Sequence, residues 1–373
     1  MNTSFKLFFR NIGYTTLAWI FAATLFSFIR LYGVEEAHLY DLQIDQIDLA
    51  EIILLQGILI GGIFGLSFGT LDYFMDRKIQ RTLSYSWLIL IRSVAHLIFT
   101  LIILLVTIFA NQWVLGGNFD EATGNRTMEI LTSKTALVVL VYTGIVSMIF
   151  SLIRQINGMF GPGILVNIIF GKYHRPQETE RIFMFLDLKS STTYAERLGH
   201  KLYSELIQDC FYDLTDTLQK HKATVYQYVG DEAVLTWEVE NGLEAANCIR
   251  AYFSYDASIQ ERARYYFDKY DLVPAFKAGL NIGRVMVAEV GVLKREIAYH
   301  SDVLNTAARI QGRCNDFGQR LLISEYLYER IPKVEDLAFE HVGEVSLKGR
   351  SKKVNIYAVS PTEEIEHEFA FSE

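Results

Sequence analysis

Four long apolar runs, all before residue 155, leave this chain few ways to fold. They span roughly Gly13 to Ile29, Ile52 to Phe74, Trp87 to Ala110 and Thr135 to Ile153. A helix crossing a bilayer needs about 20 mostly apolar residues, because every backbone polar group must be satisfied inside the segment. Each run meets that length, so the N-terminal half reads as a four-span α-helical membrane domain. The first run is not followed by a small-residue cleavage site and is read as a span rather than a leader. Of the whole chain, 51% is hydrophobic, but the excess ends near residue 155. The later half has the composition of an ordinary globular domain.

The short loops set an expected orientation. Lys6 and Arg10 precede the first span, Arg77, Lys78 and Arg81 follow the second, and Arg154, Lys172 and Arg175 follow the fourth. The segment between the first two spans carries Glu35, Glu36, Asp41, Asp45, Asp48 and Glu51 and no lysine. Basic loops stay inside, so both termini are expected in the cytoplasm, with the chain in the cell membrane. Gly57, Gly61, Gly65 and Gly69 recur at every fourth position of the second span. They form one helix face, suited to close packing within the bundle or to dimerisation. Arg92 and His96 stand one turn apart in the third span. Arg92 is close enough to the end to reach toward water, and His96 is a candidate for a sensing role.

A connector runs from 157 to 180. Gly158, Gly161, Pro162 and Gly163 are expected to break the fourth helix, and the run from Ile164 to Phe170 is too short to span. The expected boundaries are therefore 1–156 for the membrane domain, 157–180 for the connector, 181–360 for a cytosolic domain and 361–373 for a tail. The net charge of −8 argues against a nucleic-acid partner, since phosphate binding needs a basic surface. Cys210, Cys248 and Cys314 have neither metal-ligand nor redox spacing and read as reduced, partly buried thiols.

In the later half, Arg181 to Asp187 reads as a buried strand ending in a carboxylate. Leu188-Lys189-Ser190-Ser191-Thr192-Thr193 then turns into an amphipathic helix reaching about Leu218. A strand-end carboxylate beside the start of a helix is well placed for metal and phosphate. Ala223 to Val229 and Ala233 to Trp237 flank Gly230-Asp231-Glu232, a hairpin with a second carboxylate at its tip. Phosphoryl chemistry needs two hard oxygen ligands for paired Mg²⁺ ions.

These motifs, with Gly279-Leu280-Asn281-Ile282-Gly283, Asp302-Val303-Leu304-Asn305-Thr306-Ala307-Ala308-Arg309 and Leu347-Lys348-Gly349-Arg350, resemble in order and spacing the class III adenylate and guanylate cyclase domain. The resemblance covers about Arg181 to Val359. It implies an α+β ferredoxin-like catalytic domain and a head-to-tail homodimer with active sites between the subunits. It also implies two Mg²⁺ or Mn²⁺ ions per site, held by Asp187 and Asp231 with Leu188 beside them. One ion would lower the pKa of the ribose 3′-hydroxyl and the other would bind the triphosphate. Asn305 and Arg309, four apart on one helix, match the pair that orients the ribose and neutralises charge on the α-phosphate. Lys348 matches the phosphate-binding lysine, with Arg350 as second choice. His200, His221, His300 and His341 have no catalytic part in such an enzyme and are expected at surfaces or turns.

Base choice departs from the family pattern. The position three before the turn glycine, Lys in adenylate and Glu in guanylate cyclases, is Gln227. The position seven before the helix asparagine is Ala298, whose side chain cannot hydrogen-bond; Tyr299 or His300 are neighbours that could substitute. Gln227 can donate and accept, so it could face either purine. The expected substrate is ATP, with GTP as the alternative. A catalytically silent nucleotide-binding receptor and a transporter are the competing readings from other classes.

Overall fold

A computed structural model describes residues 3–33, 46–79, 84–114, 127–160, 164–293, 295–346 and 353–362. The chain folds as two units, Met1–Phe160 and Gly161–Glu373.

The first unit contains four long helices, α1 (Thr3–Gly33), α2 (Gln46–Ile79), α3 (Tyr85–Val114) and α4 (Lys134–Phe160). All four contain a stretch long and apolar enough to cross a membrane, at Phe8–Ile29, Leu54–Met75, Tyr85–Val106 and Lys134–Gly158. Large apolar side chains such as Phe21, Ile58, Val106 and Leu137 are exposed on their outer faces, as a lipid-facing bundle requires. The glycine face of α2 is spent inside the unit. A Cβ on Gly61 would lie 2.7 Å from Trp19 O and Ile20 N, and one on Gly57 would lie 2.8 Å from Thr24 Cα. Only hydrogen fits there, so the α1 backbone takes the groove. Gly158 does not end α4, which continues to Phe160; an isolated glycine costs about 1 kcal/mol in a helix and does not by itself break one. Gly161, Pro162, Gly163, the loop acids Glu35, Glu36, Asp41 and Asp45, and Arg81 lie outside the described residues.

Arg92 does not reach toward water. It is 5% exposed, with Nε 3.4 Å from Asp72 Oδ1. His96 Nε2 is 3.2 Å from the same oxygen, and Arg154 is 2.8 Å from Asp72 Oδ2. Ser147 Oγ lies 2.6 Å from His96 Nδ1, and Arg154 also donates to Thr15 Oγ1 at 3.1 Å. Asp72 thus gathers side chains from α3 and α4, and Arg154 carries the tie to α1. A buried charge needs partners, and the bundle supplies them from within.

The second unit opens with a short helix, α5 (Ile164–Ile169), and then β1 (Gln177–Leu188), α6 (Ser191–Lys220), β2 (Thr224–Val229) and β3 (Glu232–Glu238). Next come α7 (Val239–Leu243), α8 (Asn247–Glu261), α9 (Ala263–Tyr270), β4 (Phe276–Val290) and β5 (Glu296–His300). The last described elements are α10 (Asp302–Gly312), β6 (Leu321–Ser324), α11 (Glu325–Tyr328), β7 (Leu337–Ser346) and β8 (Lys353–Pro361). The strands form one sheet in the order β2-β3-β1-β4-β6-β8-β7, with β5 also paired to β4. The first four, with their helices, are the ferredoxin-like βαββαβ arrangement expected from the sequence.

Alternation along β1 sorts its side chains between two layers. Ile182, Met184, Leu186 and Leu188 enter the main core with Leu206 and Cys210 of α6 and Tyr252 and Tyr255 of α8. Phe183 packs on the other face with Val303 and Ala307 of α10. Asp187, two positions beyond Phe185, falls on that second face. All three cysteines are free and buried, as expected for reduced thiols. His221 sits at a turn, as expected. It caps the end of α6 but is only 5% exposed, with Nε2 2.7 Å from Ser254 Oγ and Nδ1 3.3 Å from Asn247 Oδ1.

Candidate functional site

The centre of the site is Asp187, where β1 ends between two neighbours. Its register partners are Glu232 on β3 and Lys277 on β4. Directly paired residues share a face, so three charged side chains stand in one row. Asp231 precedes Glu232 in the tight β2–β3 turn, where Gly230 adopts φ 62°. The crowding shows in the electrostatics. The Asp187 carboxyl is held above the usual range, first by burial and then by the Asp231 charge. Glu232 is raised by burial and by both aspartates. Tyr203 is likewise pushed up, by burial and then by Asp231.

Two side chains relieve part of this charge. Lys277 Nζ lies 3.4 Å from Asp187 Oδ2, and Gln311 Nε2 donates to the same oxygen at 2.9 Å. Neither was singled out by sequence. Lys277 could have been found by parity, since it shares a strand face with Gly279 and Asn281 of the glycine-rich motif. Gln311 had no local signal, because its role depends on α10 crossing β1.

The path from β1 into α6 is strained. Ser190 sits at φ 61°, a left-handed conformation that costs a non-glycine residue roughly 1–2 kcal/mol. The kink lets α6 begin at Ser191, shortly after Asp187 in the chain.

The residues α10 presents divide by face. Val303, Thr306, Ala307, Ile310 and Gln311 are buried, against the sheet. Asn305 is exposed and Arg309 half-buried on the outward side. They share a face, as their spacing predicts, but it is turned away from the chain's own Asp187. Gln227 is exposed on β2, opposite Val234, just after an irregularity in the pairing. Ala298 pairs with Ala288. Its neighbour Tyr299 is committed to packing, with its ring 5.0 Å from Tyr226 and 5.3 Å from Phe183. His300 is exposed. Lys348 and Arg350 lie outside the described residues.

Whether divalent cations suit this site is a question of donor chemistry. No group of three or more His, Cys, Asp or Glu side chains forms a cation cage among the described residues. Two adjacent carboxylates in a charge-crowded pocket remain, with the Leu188 carbonyl next in the chain. Mg²⁺ is commonly held by one or two carboxylates, its other positions filled by water and substrate phosphates. The donor set therefore fits ions that arrive with a nucleoside triphosphate better than a resident structural metal.

A ferredoxin-like sheet with carboxylates at the β1 end and the β2–β3 tip is the arrangement expected of a nucleotide cyclase type of catalytic domain. The sequence matches the adenylate and guanylate cyclase catalytic domain over residues 175–361, and the chain belongs to that family, whose members generally use divalent metal ions. It is 32% identical over 236 residues to Adenylate cyclase 2 of Rhizobium meliloti (strain 1021), covering 63% of this chain and 64% of that protein's length. It is 24% identical over 187 residues to Adenylate cyclase 1 of the same organism, across 47% of this chain and 27% of that protein. A bacterial light-regulated adenylyl cyclase of known structure is similar in fold, with a TM-score of 0.52 at 17% identity over 62% of this chain and 67% of that one.

Proposed function

We propose that this chain is a membrane-anchored adenylate cyclase, converting ATP to cyclic AMP and pyrophosphate. The observation that carries the reading is the row Glu232–Asp187–Lys277 with Asp231 at its edge, covered by Gln311 of α10. The names of the two rhizobial relatives support ATP over GTP.

In this reading Asp187 and Asp231, with the Leu188 carbonyl, hold two divalent ions, Mg²⁺ or Mn²⁺. Bound there, the ions would supply Lewis acidity for the ribose 3′-hydroxyl and charge neutralisation for the triphosphate. The chain's own residues do the positioning. Asn305 orients the ribose, and Arg309 balances the charge that develops on the α-phosphate, the kind of stabilisation that dominates phosphoryl transfer. Lys348, with Arg350 as the alternative, takes the phosphates, and Gln227 meets the base edge beside Ala298. The outward face of α10 supports a homodimer in which Asn305 and Arg309 of one subunit complete the carboxylate pair of the other. Residues 1–156 anchor the enzyme with both termini in the cytoplasm, 157–180 connect, 181–360 catalyse and 361–373 form a tail.

The test is complementation by co-expression. Asp187→Ala and Arg309→Ala chains are each expected to be inactive on ATP with Mn²⁺. A mixed dimer carries both lesions in one site and none in the other. With random pairing, about half the dimers are mixed, giving roughly a quarter of wild-type cyclic AMP formation. No recovery in demonstrated mixed dimers would refute the shared site. Near-normal turnover by Asp187→Ala alone would refute the metal assignment. Faster product formation from GTP than from ATP would reassign the base.

A further inference from the structure

The helical bundle holds a partly open cavity that no part of the catalytic reading uses. Its volume is about 550 Å³, within the range of small-molecule sites. It lies in the half of the bundle away from Asp72, between residues of all four helices. Aromatic rings wall it, Trp19, Phe64 and Tyr142 among them, and Gln56, Thr100 and Thr143 place neutral hydrogen-bonding groups on it. No Asp, Glu, Lys, Arg or His lines it among the described residues. Tyr142 Oη is already committed, donating to Ala22 O at 2.7 Å. Thr100 Oγ1 donates to His96 O at 2.8 Å, leaving a lone pair free to accept.

From these features we infer that the cavity is a binding site for a neutral, ring-bearing lipophilic molecule with at least one hydrogen-bonding group. Charge excludes the alternatives in kind. An ionised ligand would be desolvated with no counter-charge in the wall, at a cost of several kcal/mol. A saturated acyl chain would leave the aromatic walls and polar groups without the contacts they offer. The floor of the site gives it a route to the rest of the bundle. Trp19 is 2% exposed and stands edge-on to His96, with centroids 6.3 Å apart. Phe68, which touches Trp19 at 4.8 Å, stacks on the same imidazole at 4.2 Å. His96 is the neighbour of Asp72, which holds Arg154 near the end of α4. A ligand that moves Trp19 therefore acts on the charged cluster.

The experiment uses the full chain in phosphatidylcholine nanodiscs and benzophenone as the probe, a neutral two-ring photolabel. Labelled residues are mapped by mass spectrometry after illumination. The expected result is preferential labelling at the lining residues Trp19, Phe64 and Tyr142 over the outward Phe21, Ile58 and Leu137. The ratio should be about tenfold, equal to about 1.4 kcal/mol of preference. Ala23→Phe, which fills the cavity from α1, should abolish that preference while leaving outward labelling as an internal control, with helicity checked by circular dichroism. On the wild-type chain, 4-benzoylbenzoate, the same skeleton with a carboxylate, should label the lining at least several-fold less. Labelling confined to outward residues would overturn the inference, and so would equal labelling by the anionic analogue. Insensitivity of a correctly folded Ala23→Phe chain would do the same.

Discussion

Substituting Gly279 by alanine tests whether α10 must lie close against β4 for the site to work. An added Cβ would collide with Gln311 N and stand 2.6 Å from both Ala307 O and Gln311 Cα. All three are backbone atoms of α10 and cannot rotate away. Restoring an ordinary 3.4 Å contact to the 2.6 Å neighbours alone takes about 0.8 Å, and the closer Gln311 N requires the helix to retreat further, by on the order of 1 Å. Gln311 then loses its 2.9 Å hydrogen bond to Asp187, and Asn305 and Arg309 move with the same helix. Overpacking of this kind costs about 1–3 kcal/mol of stability. Displacements near 1 Å cost on the order of 100-fold in rate. The expected kcat for cyclic AMP formation is therefore about 10- to 100-fold lower, in a protein that still folds. Gly283→Ala is the control. Its Cβ meets only side-chain atoms of Val303, the nearest at 2.7 Å, so a rotamer change absorbs much of the strain and the loss should be clearly smaller. Rates are measured on the full chain in nanodiscs with saturating Mn²⁺ and ATP, and folding by thermal melts of the same samples. A Gly279→Ala rate within about twofold of wild type would show that α10 need not hold this distance.

Lys277→Met removes a cation that competes for Asp187 Oδ2. Mn²⁺ binding, followed by the electron paramagnetic resonance of free Mn²⁺, should tighten on the order of tenfold, as about 1.4 kcal/mol of lost repulsion implies, and weaker binding would make Lys277 a support instead. Ser190→Gly relieves a backbone held at φ 61° and should be neutral or stabilising by up to about 1 kcal/mol, whereas Ser190→Val should lose roughly 2 kcal/mol in melting or denaturant titration. His221 is depressed from 6.5 to about 4, chiefly by burial. The unfolded chain takes up that proton first, so stability is full above pH 6.5 and is lost as pH falls toward 4, by at most about 3 kcal/mol. His221→Gln should flatten this part of the stability–pH curve, and an unchanged slope would move the acid sensitivity to other groups.

Much of the catalytic unit was legible in the sequence because its elements are local. The strand into Asp187, the Gly230–Asp231 turn and the four-residue spacing of Asn305 and Arg309 each lie within a few consecutive residues. Lys277 and Gln311 became visible only through pairing. Lys277 matters because β1 and β4 align it with Asp187, and Gln311 because α10 lies over β1. Register between strands about 90 residues apart in sequence is set by the packing of both faces, and no short window reports it. The turn at His221 was legible, but its burial was not. A histidine after a helix normally reaches water, but here Trp237 donates to its carbonyl at 2.9 Å and closes the turn against the core.

The helical bundle gives the complementary lesson. Hydropathy located its helices, and glycine spacing marked a close-packing face on α2 while leaving its partner open, since both depend on composition along one helix. The meaning of Arg92 and His96 depended on Asp72, the one charged residue inside the apolar run from Ile52 to Phe74. An isolated aspartate in such a run costs about 2.5 to 3.5 kcal/mol on insertion scales. That cost is itself a signal that partners exist in neighbouring helices. Arg92, His96 and Arg154 are the charged or ionisable residues at the matching depth of α3 and α4, and up-down packing of four helices brings them together. Pairing intramembrane charges by depth would have recovered the cluster from sequence, and would have excluded a water-seeking Arg92, before any coordinates.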